Sequence, residues 1–168
     1  MISRRTLALA NYIIHSFNVS GRNLTHLKLQ KLVYITHGWY LYALDRVLVE
    51  DEIEVWAYGP VITALYHQFK HYGKEPISIL SERIKTDGIT IVSEGCPELV
   101  NDIDYDTIKR VADIVIDKYG SLSGESLSYL CNRKKTPWWQ VKEESGYNSI
   151  INNSVVKRYY TNLAEKIR

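Results

Sequence analysis

Between Leu27 and Leu44 the chain leaves almost no room for a wet helix face. Leu29, Leu32, Val33, Trp39, Tyr40 and Ala43 mark a wide apolar stripe, and Leu41, Tyr42 and Leu44 carry it nearly around the axis. A helix that is apolar on most sides must be central, because each side needs an apolar neighbour. The chain is therefore expected to wrap other elements around this helix. Asn23 or Thr25 can cap its free amides at the start. Gly38 lies in its interior, where glycine costs about 1 kcal/mol relative to alanine. The compensation expected there is close approach by another backbone or by a ring.

The surrounding elements are predicted from period and punctuation. Leu7, Ala10, Ile14 and Phe17 recur at helical spacing and predict a first helix ending near Asn18. Val47–Val49 and Ile53–Trp56 are short β-type runs that predict a small hairpin or two extended segments. Pro60 fits the first turn of a third helix carrying Val61, Leu65, Phe69 and Tyr72, with Gly73 at its end. Residues 77–80 and 89–92 are β-like again, with a turn at Lys85-Thr-Asp-Gly88. Asp104 or Asp106 opens a fourth helix ending at Gly120, and Ser123 caps a fifth. Thr136-Pro137 starts a short sixth. Adjacent helical residues point about 100° apart, so Trp138 and Trp139 cannot share one pocket. Asn152, Asn153 or Ser154 opens the last helix, whose stripe is Val156, Tyr160, Leu163 and Ile167. No linker or repeat divides residues 1–168, so a single domain is expected: mainly α, with six or seven helices and a small β hairpin or short sheet.

Composition narrows function mostly by exclusion. Thirteen tyrosines and four tryptophans stand against two phenylalanines. Such rings bury apolar area while keeping a polar end, which suits cores near a surface and protein interfaces. The net charge of +2 is too small to point to nucleic acid. Acidic residues gather in the middle (Glu50, Asp51, Glu52, Asp102, Asp104) and basic ones toward the end (Arg133, Lys134, Lys135, Lys157, Arg158). That asymmetry fits either steering of a charged partner or ordinary solvated faces. Cys96 and Cys131 form no metal or redox motif, and reduced thiols in a cytoplasmic protein are expected. No apolar run reaches the roughly 18 residues of a membrane span.

Reaction chemistry is equally thin. His67 and His71 face one way on a helix, but Gln-Phe-Lys between them lacks the glutamate of a zinc protease. No metal site and no cofactor are expected. Cys131 has no base beside it, and no phosphate loop or triad spacing occurs, so no catalytic residue is named. Lys28, Gln30 and Lys31 are the candidates for a DNA-reading face on the second helix, and Arg133-Lys-Lys135 for phosphate contacts. The residues beyond Lys31 are apolar, which leaves nucleic acid as a minor alternative.

The run Leu27-Lys-Leu-Gln-Lys-Leu-Val-Tyr34, then Gly38-Trp39, then Ile53-Glu-Val-Trp-Ala-Tyr-Gly-Pro60, then Leu65-Tyr66 and Phe69 through Gly73, resembles the Panacea domain. This is the SocA-like family of bacterial and prophage-associated antitoxins. Leu127-Ser-Tyr-Leu130 and Pro137-Trp138 resemble its second signature. Where the family commonly carries Thr-His before Pro-Trp, this chain has Cys131-Asn132. The resemblance implies a helical antitoxin that binds a toxin protein encoded by the adjacent gene. It leaves open a second mode, in which the antitoxin is an adapter handing the toxin to an ATP-dependent protease, and a third as a DNA-binding autorepressor. Direct binding needs a surface and no active site. The residues expected to form that surface are Trp56, Tyr58, Gly59, Pro60, Tyr66, Tyr72 and Trp139. Trp39, Trp56 and Phe69 can equally be core, and Gly59-Pro60 can simply shape the turn into the third helix.

Overall fold

The computed structural model describes residues 1–168. Seven helices enclose one apolar interior: α1 (Arg4–Val19), α2 (His26–Leu44), α3 (Thr63–Phe69), α4 (Tyr105–Tyr119), α5 (Gly124–Asn132), α6 (Pro137–Ser145) and α7 (Asn153–Ile167). Two antiparallel hairpins interrupt them, β1 (Ile53–Trp56) with β2 (Gly59–Ile62) and β3 (Ile84–Thr86) with β4 (Ile91–Ser93). The mainly α expectation holds, with two small hairpins where at least one was expected.

Helix α2 is the axis of the structure. Every residue from Leu29 to Gly38 is buried, and α1, α4, α5 and α7 all pack against it. Thr25 caps it by accepting from the Lys28 amide, and Ser3, Ser123 and Thr136 do the same for α1, α5 and α6. These oxygens satisfy amides that have no partner within the first helical turn. Gly38 meets the ring of Tyr160 on α7, so the close approach expected at that glycine is present. His37, beside it, is fully buried. Its Nε2 lies 2.8 Å from Asn153 Oδ1, and its Nδ1 accepts from the Val49 amide at 3.2 Å. A neutral ring protonated at Nε2 satisfies both contacts, and burial holds its pKa down at about 4.

Several boundaries differ from expectation. Pro60 and Val61 belong to strand β2, and α3 begins only at Thr63. The missing N–H of proline is as harmless on a strand edge as in a first helical turn, so Pro60 did not discriminate between them. The neighbours of β1 decided the matter. Glu54 pairs with Val61 and Val55 with Pro60, and on the other edge of β1 the segment at residues 148–151 adds three backbone bonds. Val47–Val49 and residues 77–80 are not strands. The tail of α7 is also less buried than its stripe implied: Leu163 is half-buried and Ile167 exposed.

Part of the acidic middle is neutralised internally. Arg5 on α1 donates from Nε to Asp102 at 2.7 Å and from Nη2 to Asp104 at 2.9 Å, and Arg46 reaches Asp104 as well. Tyr40 on α2 donates to the same Asp104 carboxylate. Glu94 pairs with Arg83 and Lys85. No helix is long and apolar enough to cross a membrane.

Candidate functional site

The β1–β2 hairpin turns on two residues, Ala57 and Tyr58, since Trp56 pairs directly with Gly59. Tyr58 stands 73% exposed at its tip. Gly59 has φ +106°, a conformation that side-chain-bearing residues rarely adopt, and it returns the chain into β2. Strand β2 then lies over α2, with side chains of that helix supplying partners a further strand would supply. The Gln30 amide accepts from Ile62 N–H and donates to Ile62 O, both at 3.0 Å. The Lys31 ammonium donates to Pro60 O at 2.9 Å.

This placement corrects the DNA-reading face. Gln30 and Lys31 look like polar positions of an exposed helix when only the helical period is considered. In the fold both are buried under the hairpin. Lys28 remains half-buried at the edge, with Nζ 5.0 Å from the Phe17 ring centroid.

Between the hairpin tip, the start of α2 and α3 lies an open groove of about 650 Å3. Trp56, Tyr58 and Tyr66 form its aromatic wall, with Val61 between them. Trp56 and Tyr66 meet edge to face with centroids 4.9 Å apart, and Tyr66 is 5.7 Å from the His26 ring. Trp56 is also fixed by its own Nε1, which donates to Glu54 at 2.8 Å. Its carbonyl accepts from Trp138 Nε1 at 2.9 Å, so α6 braces the hairpin from behind. Trp56 and Tyr66 are thus held in place, while Tyr58 projects into solvent.

Of the seven expected surface residues, Trp56, Tyr58 and Tyr66 line the groove. Gly59 and Pro60 are buried behind the turn, where Pro60 O accepts from Lys31. Tyr72 is not a lining residue. It stacks on Phe69 with centroids 6.3 Å apart, next to the Gly73–Lys74 end of the groove. Trp139 is half-buried on α6 and does not line the groove; its neighbour Trp138 is the one that turns inward.

The groove also holds polar groups that sequence reasoning missed. Lys31 has no exposed surface and no carboxylate partner, and burial lowers its pKa to about 8. His26 Nδ1 is buried without a hydrogen-bond partner, and burial, then the nearby Lys31 charge, lowers its pKa. Lys74 lies at the rim and Glu125 contributes the one carboxylate side chain. Lys31 stands nearly opposite the Leu29, Leu32 and Val33 stripe, and the available signal was the apolar character of Leu27, Tyr34 and Ile35, the residues one helical turn from it. Cys131, standing at the family's departure from Thr-His, is buried, and its thiol is pushed up to about 11, which keeps it protonated.

The model of the family described as "Antitoxin SocA-like, Panacea domain" matches residues 29–139, a span holding most of α2, the hairpin, α3 and the groove's aromatic wall. The chain is similar to the protein named Antitoxin SocA from Caulobacter vibrioides (strain NA1000 / CB15N). The two are 28% identical over 141 residues, which is 84% of this chain and 72% of that protein. No solved structure matches the chain.

Proposed function

This chain belongs to the Antitoxin SocA-like, Panacea domain family, and from that membership we propose that it neutralises a cognate protein toxin, encoded by the adjacent gene, by direct protein–protein binding. Residues 1–168 act as one domain in this reading, and the chain performs no bond-making step of its own. The observation that supports it is the preset aromatic groove. Trp56 and Tyr66 brace each other, and Tyr58 projects beside them into solvent. Aromatic side chains of this kind anchor interfaces because each excludes much water while giving up little rotamer freedom. Gly59 and Pro60 hold the turn that presents them. Tyr72 and Trp139 are peripheral to the surface proposed here.

The test is protection of cells that express the neighbouring gene. Tyr58→Ala changes an exposed side chain and is expected to alter stability by less than about 0.5 kcal/mol. Combined with Tyr66→Ala, it should leave a folded protein that no longer co-purifies with the toxin or restores growth. Full protection by that double variant would refute the groove as the docking surface. The toxin level separates the two modes of action. Blocking predicts an unchanged amount of toxin held in a stable complex, whereas toxin loss that requires an ATP-dependent protease would make the chain an adapter.

A further inference from the structure

A separate cavity of about 340 Å3 opens between α2, α4 and α7, and none of the hairpin residues line it. Helices α4 and α7 both pack on α2 but scarcely touch each other, so a wedge is left between them. Ala164 contributes only a methyl group where a larger side chain would close the space. Trp39 and Tyr42 supply the aromatic wall, edge to face with centroids 6.0 Å apart, and Trp39 is held in turn by Tyr160 at 5.0 Å. Ile114 on α4 and Ile167 on α7 border the opening at 59% and 62% exposure. Single exposed apolar side chains are ordinary, but a continuous apolar patch around a cavity marks a binding site. Lys118 is the one charged residue in the lining. It is exposed, its Nζ lies 5.8 Å from the centroid of the lining Tyr119 ring, and it takes part in none of the chain's ion pairs. Arg168, also outside those pairs, donates to the Tyr42 hydroxyl at 3.1 Å.

We propose that this wedge is a binding site for a small amphipathic acid: the apolar body lies against Trp39, Tyr42, Ile114 and Ile167, and its carboxylate stays at the mouth and accepts from Lys118. Charge complementarity selects the head group. Both free cations at the wedge are available to an anion, and no carboxylate side chain lines it; Asp117 and Glu165 are neighbours of lining residues in the chain and stay outside. A cationic amphiphile would meet Lys118 with like charge. Size selects the class. A two-turn helix, about 11 Å long and 10 Å across, occupies roughly 800 Å3, more than twice the space present, whereas about 340 Å3 lies in the range of small-ligand sites. The ammonium needs no rearrangement to reach the ligand, because Lys118 already stands in solvent at the edge of the apolar lining. A charge-assisted bond there is about twice as strong as a neutral one. The site is distinct from the hairpin groove, so it stands or falls independently of the antitoxin reading.

The experiment uses the isolated full chain and sodium decanoate below its micelle concentration, compared with decylamine and sodium butyrate at matched ionic strength. The readout is the Trp39 indole N–H and the Ile114 and Ile167 methyl signals in NMR spectra of isotope-labelled protein. Decanoate is expected to shift these signals saturably, with one ligand per chain. Decylamine lacks the anion and butyrate lacks the apolar body, so each should bind about tenfold more weakly or worse. Lys118→Met keeps the apolar stem of an exposed side chain, and should weaken decanoate about tenfold without weakening decylamine. Ile167→Glu, at an exposed position, should abolish decanoate binding, and circular dichroism checks that both variants remain folded. Absence of saturation, equal binding of decylamine or butyrate, or undiminished decanoate binding by folded Lys118→Met would overturn the proposal. A sedimentation experiment showing dimers that Ile114→Asp dissociates and decanoate does not disturb would also overturn it, and would give this face to a second copy of the chain.

Discussion

Replacing Gly38 by alanine separates what a helix prefers from what this fold permits. In an isolated helix the change would stabilise by about 1 kcal/mol. In this protein the new Cβ would lie 2.1 Å from Cε2, 2.4 Å from Cδ2 and 2.5 Å from Cζ of Tyr160. Carbon atoms prefer about 3.5–4.0 Å, so the ring or the helix must yield by about 1.5 Å. Tyr160 has little freedom to move. It is 4% exposed, and Trp39 and Tyr159 meet it edge to face at 5.0 Å and 5.3 Å. The adjoining cavity, about 50 Å3, is too small to accept the displaced ring. Overpacking of this kind costs about 1–3 kcal/mol and sometimes more, and three ring atoms in conflict place it at the upper end. After the gain in helix propensity, Gly38→Ala should destabilise by about 2 kcal/mol. For a chain of this size the melting temperature should then fall by about 4–8 °C. Urea and thermal unfolding followed by circular dichroism measure both quantities. In a Tyr160→Val background the same substitution should become neutral or stabilising, giving a coupling of about 2 kcal/mol across the pair. A Gly38→Ala protein at least as stable as the parent, or an equal loss in both backgrounds, would refute the reasoning.

Two further outcomes follow from buried polar groups. The folded state holds the His37 pKa at about 4, against 6.5 for the free side chain, so the unfolded chain binds a proton that the folded chain excludes. The stability this contributes is complete above about pH 6.5 and is lost as pH falls toward 4, by about 3 kcal/mol in all; denaturant midpoints measured from pH 7 to 4 should show the slope, and His37→Gln should flatten it. Arg5→Met leaves the Asp102 and Asp104 carboxylates close together with only the half-exposed Arg46 to offset them, and should cost about 2 kcal/mol in urea unfolding. Adding Asp104→Asn to Arg5→Met should recover part of that loss.

Local rules made most of the helical scaffold legible. Thr25, Ser123 and Thr136 cap the helices they were expected to cap, because capping is decided by an oxygen within three residues of the amide it serves. The centrality of α2 followed from its apolar circumference, and Gly38 announced a close neighbour without saying that it would be Tyr160. The site was less legible. Trp56, Tyr58 and Tyr66 could be nominated as rings, but their meeting in one groove depends on the hairpin register and on Trp138 bracing it from residue 82 positions along the chain. Trp139 and Tyr72 carry the same chemistry as those rings, yet neither lines the groove: Trp139 lies half-buried on α6 and Tyr72 stacks on Phe69.

Pattern and punctuation fixed the helices and the axis on which they assemble, since both arise from neighbours in the chain and from the need to hide apolar surface. Tertiary packing decided the fate of individual polar residues. Lys31 occupies a position that helical period would assign to solvent, and it is buried because β2 folds over it and Pro60 offers a carbonyl. A hydrogen bond or an unpaired charge between residues 29 positions apart has no local signature, so only the folded chain reveals it.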